Sequence, residues 1–317
     1  MMKSILAIGE CMMELTEHSE SLLKRAFAGD TYNALVYAKH YNANIDCQLF
    51  TAVGDDATSG AMRKAWQKQC INDQAVLTID TATVGIYAIA TDDAGERSFS
   101  YWRKDSAATQ MMGVVAVEAL VSRIGSVDIV FFSGISLGIL ADEDKHLMMQ
   151  LIQALRQKGA LVAFDPNYRQ AMWQSVSHAK TWFDIAYQHC DIALPGIEEH
   201  DALYGQQTAI EVMLHCQSLG AKEIIVKSGL DGTYAYECGE LIAHQPFNPA
   251  PIQVDSTAAG DSFAGTYLAS RNCEHDIETS LGEACLVARE VVQHKGAILA
   301  PDIYQEIKTA QQSLLTQ

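Results

Sequence analysis

The chain reads as an α/β protein with a mostly parallel central sheet and helices on both faces. Three observations carry this reading. Short apolar runs bounded by Gly, Asp or Pro alternate with longer segments of helical period over most of the 317 residues. Apolar residues make up 49% of the chain and charged residues 19%, which is enough material for a core and no signature of disorder. No internal repeat, low-complexity tract or Pro/Gly-rich linker divides the chain. Length alone allows one large domain or two small ones, and the unbroken alternation favours one unit over residues 1–317.

In chain order, residues 4–9 form the first candidate strand, followed by an exposed strand over 11–16. A helix over 31–41 places Ala34, Leu35, Ala38 and Tyr41 on one face behind a possible cap at Asp30. Residues 48–53 read as a buried strand. Residues 84–102 read as an exposed antiparallel hairpin of strands 85–91 and 97–102, turned by Asp92, Asp93, Ala94 and Gly95. Buried strands follow at 129–132, 160–164, 192–194 and 223–226. A helix over 144–158 aligns Leu147, Leu151, Ala154 and Leu155, and an apolar helix spans 263–269. Tyr87, Phe99, Tyr101 and Trp102 crowd the small antiparallel unit, which therefore has to cover something: the mouth of the main body or a second subunit. It reads as a lid, with strands inserted at about 11–28 and 84–104.

The formal charge of −17 argues against nucleic acid or an anionic membrane as partner, while leaving room for a small anion held by a few arginines in a cleft. The eight cysteines are widely and irregularly spaced, which suits free thiols in a reducing cytosol better than a zinc site or a disulfide scaffold. The ten histidines show no metal-binding spacing. The apolar run from Ile5 to Ile8 meets Glu10 and Glu14 too soon for a signal peptide, so a cytoplasmic location is expected.

The chain carries neither a G-x-x-x-x-G-K-[ST] loop nor a G-x-G-x-x-G turn; Gly9-Glu10-Cys11 follows the first strand instead. The most suggestive segment is Asp255-Ser256-Thr257-Ala258-Ala259-Gly260-Asp261-Ser262-Phe263, where small residues run into an apolar helix. Exposed N–H groups at such a helix start make an anion pocket, and a carboxylate held ionised there can accept a hydroxyl proton. A plain glycine turn before a helix is the alternative.

These residues resemble the PfkB (ribokinase-like) carbohydrate kinases. Ala258-Ala259-Gly260-Asp261, preceded by Asp255 and Thr257, resembles the C-terminal signature D-T-x-[GA]-[AG]-G-D, and Gly29-Asp30 with Asn33 resembles the N-terminal one. The resemblance implies Asp261 as general base and Ala258, Ala259 and Gly260 as the anion hole. Within the family, several tracts resemble the branch acting on 2-keto-3-deoxygluconate. They are Gly9-Glu10-Cys11-Met12-Met13-Glu14-Leu15, Gly95-Glu96-Arg97, Tyr101-Trp102-Arg103, Ser133-Gly134-Ile135-Ser136-Leu137 and Asp165-Pro166-Asn167-Tyr168-Arg169. ATP-dependent phosphorylation of the sugar acid at its C6 hydroxyl is then implied.

An acidic sugar in so acidic a protein needs directional cations, and Arg103 and Arg169 are the candidates, with Tyr87 and Tyr101 as hydroxyl and ring partners. A strand-end charge and lid packing are the respective alternatives. Gly29, Asp30 and Asn33 join them on the substrate side. On the nucleotide side the resemblance points to Lys227, Ser228, Gly229 and Gly232, to Gly260 and to Asn167; a turn after residue 226 is the other reading of the glycines. The N-x-x-E motif departs from the family at Gly196-Ile197-Glu198-Glu199, leaving Glu199 to organise water around Mg²⁺ carried by ATP. Asp255 and Thr257 match a monovalent-cation position in some relatives, or simply set the angle of the following helix. Family members often pair lid strands between subunits, which implies a homo-oligomer. The rivals are another PfkB sugar kinase such as a fructokinase, a non-catalytic sugar-acid sensor on the same fold, and a sugar-acid dehydrogenase, which lacks its fingerprint.

Overall fold

The computed structural model describes residues 2–19, 21–91 and 97–314. The strands in chain order are β1 (Ser4–Ile8), β2 (Met12–Ser19), β3 (Leu22–Ala28), β4 (Asp46–Phe50), β5 (Ala52–Val53), β6 (Leu77–Thr78), β7 (Ile86–Thr91), β8 (Arg97–Trp102), β9 (Ile129–Ser133), β10 (Leu161–Asp165), β11 (Ile192–Ala193), β12 (Glu223–Lys227), β13 (Thr233–Glu237) and β14 (Glu240–Gln245). The helices are α1 (Asp30–Tyr41), α2 (Ala57–Lys68), α3 (Val117–Ile124), α4 (Gly134–Gly138), α5 (Asp142–Gln157), α6 (Val176–His189), α7 (Ile197–Tyr204), α8 (Ala209–Leu219), α9 (Ala259–Asn272), α10 (Ile277–Val291) and α11 (Pro301–Leu314). Among the described residues, none of them is long and apolar enough to cross a membrane.

The main sheet has the order β14-β13-β12-β11-β10-β9-β1-β4. From β12 to β4 the neighbours are parallel, and β13 and β14 close one edge antiparallel. Successive side chains of a strand point to opposite faces, and both faces here are covered. Leu6 and Ile8 pack with α5 and α6 through Leu151, Ile152 and Phe183. Ile5 and Ala7 pack with α1, α9 and α10 through Leu35, Leu268 and Leu281. Burial on both faces is why the central strands β1 and β9 are apolar over consecutive positions instead of at every second one. Parallel strands also bring their carboxyl ends to one edge, where an open α/β sheet places ligands.

A second, separate sheet of order β3-β2-β7-β8 is the unit that the sequence reading takes as a lid, and it is called the lid below. Its outer pairs are antiparallel, but β2 and β7 run parallel, with Met13 opposite Ile86, a pairing the hairpin reading did not contain. The turn expected at Asp92, Asp93, Ala94 and Gly95 lies outside the described residues, as does Glu96. Other boundaries shift for identifiable reasons. The run 48–53 is two strands, because the chain leaves the main sheet at Thr51 and β5 pairs with β6. Helix α1 is capped from Gly29, so Asp30 is its first residue and its carboxylate serves elsewhere. Helix α9 begins at Ala259, four residues ahead of the apolar run that marks it in the sequence.

Candidate active site

At the carboxyl edge of the main sheet the first turns of α1 and α9 converge. Asn33 Nδ2 donates to Asp261 Oδ2 at 2.8 Å, and Asn33 Oδ1 accepts from the Gly29 N–H at 3.4 Å, which together fix the way the amide faces. A Cβ at Gly29 would strike the Glu10 carbonyl oxygen, so only glycine lets the α1 turn come this close to the end of β1. Burial pushes the Asp261 carboxyl up, and the neighbouring carboxyls of Asp30 and Asp165 push it further. Asn33 and Arg169 pull it back, for a net value of about 7. A base poised near neutrality suits proton abstraction from a hydroxyl.

Ahead of Asp261 the chain turns through Ala258, in the left-handed region at φ 62°. This turn aims the start of α9 into the cleft. The N–H of Ala259 goes to the Ser256 carbonyl at 3.3 Å, and that of Ser262 to Ala258 at 2.8 Å. Among the described residues no backbone carbonyl takes the N–H of Gly260 or Asp261, so both remain available at the positive end of the helix. A Cβ at Gly260 would meet nothing within 4 Å. Packing therefore does not require a glycine there, and the space beside it is open.

Asp30 accepts from Ser133 Oγ and, at 3.0 Å, from Asn167 Nδ2. Burial pushes its carboxyl up, against the pull of these donors and of Arg103. Asn167 sits at φ 34°, a conformation that asparagine tolerates better than most residues. Its side chain is thus on Asp30, and its N–H is on Asp165 Oδ1 at 3.2 Å.

Asp165, at the end of β10, also holds the Lys227 ammonium at 2.9 and 3.1 Å. Burial works against the charge on Lys227, but the carboxylates of Asp165 and Glu199 outweigh it and the net shift is upward. Glu199 folds back on the start of α7, accepting from the Gly196 N–H and the Tyr168 N–H at 3.0 Å each. Burial pushes its carboxyl up and Lys227 pulls it down. A Cβ at residue 196 would lie 3.0 Å from Glu199 Oε2. A side chain at this position would require Glu199 to shift by a few tenths of an ångström. Among the described residues no group of three or more His, Cys, Asp or Glu is arranged to hold a metal.

Behind the anion turn opens a cavity of about 740 Å³, lined by Lys227, Ser228, Gly229, Gly232, Ala259, Gly260 and Phe263, by residues 245–250, and by one face of α10. That size suits a nucleotide. Gly229 and Gly232 have φ of 56° and 87°, so the turn between β12 and β13 needs them, and both also line the cavity. Ser228 is buried, and its Oγ has no hydrogen-bond partner among the described residues. Asp255 is not directed at the cavity. It accepts from the N–H groups of Thr257 and Gly296 at 2.9 Å and so sets the approach to α9.

The lid closes the other side. It packs through Met12, Ala28, Tyr87 and Ile89 against Ala297 and against Ala258 beside the anion turn. Tyr101 lies between Tyr87 and Phe99 in a stack with centroids 5.9 and 6.3 Å apart, and remains 53% exposed. The Tyr87 hydroxyl is engaged by the buried Glu14 carboxylate, so Tyr87 offers a substrate its ring more than its oxygen. Arg103 stands at the lid's root with its guanidinium 6.0 Å from the Tyr101 ring centroid and its Nη2 2.5 Å from Glu10 Oε2. Arg169 is exposed, and its charge is felt at Asp261.

The predicted residues thus gather around one cleft. Sequence reasoning gave no role to Glu10, Glu14, Ser133 or Asp165, all buried polar groups among apolar neighbours. The available signal for Glu10, Ser133 and Asp165 was position, since each stands at or just beyond the end of an apolar strand, whereas Glu14 lies within β2 and carries no such mark.

The profile of the pfkB family carbohydrate kinases matches residues 2–303. The chain is 35% identical over 303 residues to the 2-dehydro-3-deoxygluconokinase of Escherichia coli (strain K12), covering 94% of this chain and 98% of that one. It is 33% identical over 301 residues to the enzyme of the same name from Dickeya dadantii (strain 3937), covering 94% and 97%. In fold it is similar to a Xylella fastidiosa fructokinase solved with bound ATP. The TM-score there is 0.82 at 20% identity, covering 98% of this chain and 100% of that one.

Proposed function

The chain belongs to the pfkB family of carbohydrate kinases and is a phosphotransferase acting on a sugar hydroxyl; on that premise we propose that it transfers the γ-phosphoryl group of ATP to the C6 hydroxyl of 2-keto-3-deoxygluconate. The observation that carries the reading is the convergence at the start of α9. There a carboxylate with a pKa of about 7, Asp261, stands one residue from a glycine that faces the nucleotide-sized cavity. The two relatives named for this sugar acid support the choice of substrate.

Asn33 occupies Asp261 Oδ2, which leaves Oδ1 to accept the proton of the C6 hydroxyl. The alkoxide oxygen forms its bond to the γ-phosphorus as the bond from that phosphorus to the β-γ bridging oxygen breaks, and ADP leaves. The N–H groups of Gly260 and Asp261 meet the charge that gathers on the transferred group. Lys227 and Ser228 bind at the phosphates, and the wall of residues 245–250 with α10 takes the base and ribose. Mg²⁺ bound to the nucleotide would neutralise phosphate charge, with Glu199 facing its water shell. Arg103 and Arg169 hold the substrate carboxylate, Tyr101 lies on the sugar, and Asp30 accepts from its hydroxyls.

The test is ADP release with Mg·ATP on 2-keto-3-deoxygluconate, fructose, ribose and gluconate in parallel. Turnover confined to the keto-deoxy acid supports the reading. Preferential turnover of fructose or ribose overturns the substrate and keeps the kinase.

A further inference from the structure

Glu10 follows directly after β1 and is only 2% exposed. A carboxylate buried to that degree is costly unless it is paired, and its partners come from the lid side of the cleft. Arg103 Nη2 lies 2.5 Å from Oε2, and Ser106 Oγ donates to Oε1 at 2.5 Å. Arg103 directly follows β8, and Ser106 lies three residues further on. The backbone is shaped for this pair. A Cβ at Gly85, just ahead of β7, would come within 2.6 Å of Glu10 Oε1 and 3.1 Å of Arg103 Cβ. The guanidinium is also felt at Asp30, so it lies between the lid root and the substrate end of α1. Its Nε and Nη2 are both buried and make no hydrogen bond among the described residues, and neither does Glu10 Oε2, so the 2.5 Å approach to Glu10 is an ion pair without hydrogen-bond alignment. A guanidinium presents five N–H donors in a rigid plane, so fixing one edge fixes where the others point.

We propose that Glu10 is a positioning residue for sugar-acid recognition: it sets the plane of the Arg103 guanidinium so that the remaining donors meet the substrate carboxylate, and it ties the root of the lid to the sheet edge. The proposal rests on the reading of Arg103 as a carboxylate-binding group. Glu10 itself does not touch the substrate. The competing account makes Arg103 a mere counter-ion that neutralises a buried structural acid.

The experiment measures KM for 2-keto-3-deoxygluconate and for ATP in Glu10→Gln, Arg103→Ala, the double variant and Ser106→Ala, with Tm for each. Glu10→Gln is expected to raise KM for the sugar acid about tenfold while KM for ATP stays within about twofold. On the Arg103→Ala background it is expected to add less than about twofold, because the effect runs through Arg103. Ser106→Ala, a milder disturbance of the same carboxylate, shifts KM in the same direction by about threefold. If Arg103→Ala raises KM for the acid and Glu10→Gln does not, or if Glu10→Gln acts equally with and without Arg103, the positioning role is overturned. If Arg103→Ala itself leaves that KM unchanged, the clamp reading fails and the proposal falls with it. If Glu10→Gln does not fold, Ser106→Ala decides: a selective rise for the acid supports positioning, and an unchanged KM overturns it.

Discussion

The two walls of the cleft are made of different material. The wall that the proposed reading gives to the phosphoryl group is main chain: a left-handed turn at Ala258, the N–H groups at the start of α9, and Gly260 facing open space. It rests on helices packed so closely that a Cβ at Gly265 would run into the Ala34 carbonyl of α1. The wall that the proposed reading gives to the substrate is side chain: Tyr87, Tyr101 and Arg103 on or just beyond a small sheet whose Phe99, Tyr101 and Trp102 stay exposed, and Arg169 on the loop after β10. Main-chain donors cost no ordering entropy when the ligand arrives and do not distinguish one phosphate from another. Long side chains distinguish one sugar from another, but each must be held in place by a partner. Chemistry common to a family therefore belongs on the first wall, and substrate choice on the second.

The largest effect that can break this division is at Asp261. Asp261→Asn is expected to lower kcat by about 10²–10⁴-fold with KM for both substrates little changed, because the group acts on the reacting proton. Full activity in that variant would remove the base. The same substitution should stabilise the fold. The folded carboxyl titrates near 7, above its unfolded value near 4, so folding takes up a proton between these limits. Its cost grows as pH rises through that window and is complete above about 7. Asp261→Asn should therefore gain about 1–3 kcal/mol at pH 8, after discount for partial exposure, and little at pH 4. A thermal or urea unfolding series over pH checks both the size and the sign.

In the wild-type enzyme the same titration predicts the activity profile. The base works only when unprotonated, so kcat/KM should fall about tenfold per pH unit below about 7. A flat profile down to pH 5 would mean that the free enzyme keeps Asp261 ionised and that its neighbours raise it less than the geometry implies.

On the substrate wall the two arginines should separate. Arg169 is exposed, so Arg169→Ala is expected to raise KM for the sugar acid by about 10–100-fold with Tm unchanged. Arg103→Ala should do the same and also lower Tm, because it strands the buried Glu10 carboxyl. Equal Tm in the two variants would count against the buried pair.

The smallest effect sharpens the contrast within α9. Gly260→Ala meets no atom in the folded protein, so it should leave Tm in place and raise KM for ATP by about three- to tenfold. Gly265→Ala should lower Tm with little change in KM, since its Cβ would run into the Ala34 backbone of α1. Calorimetry and initial rates on the pair decide whether one helix carries a ligand glycine and a packing glycine five residues apart.

The division also explains what could be read in advance. Buried parallel strands and covering helices follow from the period of apolar residues alone, since a strand covered on both faces must be apolar throughout. The start of α9 was legible because a main-chain site needs small residues in consecutive positions, and Ala258-Ala259-Gly260-Asp261 is such a run. Pairings between distant segments leave no local mark. Nothing around Met13 announces a parallel partner at Ile86, and nothing around Thr51 announces that β5 will leave the main sheet for β6. The same holds for Asp30, which has the look of a helix cap in the chain but receives Ser133 and Asn167 in the fold. By itself the sequence determined the layered α/β class and the run of small residues that opens α9, because each is written in neighbouring residues. Only the tertiary structure decided that Glu10 carries Arg103, that Glu14 engages Tyr87 and that Lys227 rests on Asp165. Each of these is a charge or hydroxyl whose burial is tolerated only through a partner that the folding of the chain brings to it.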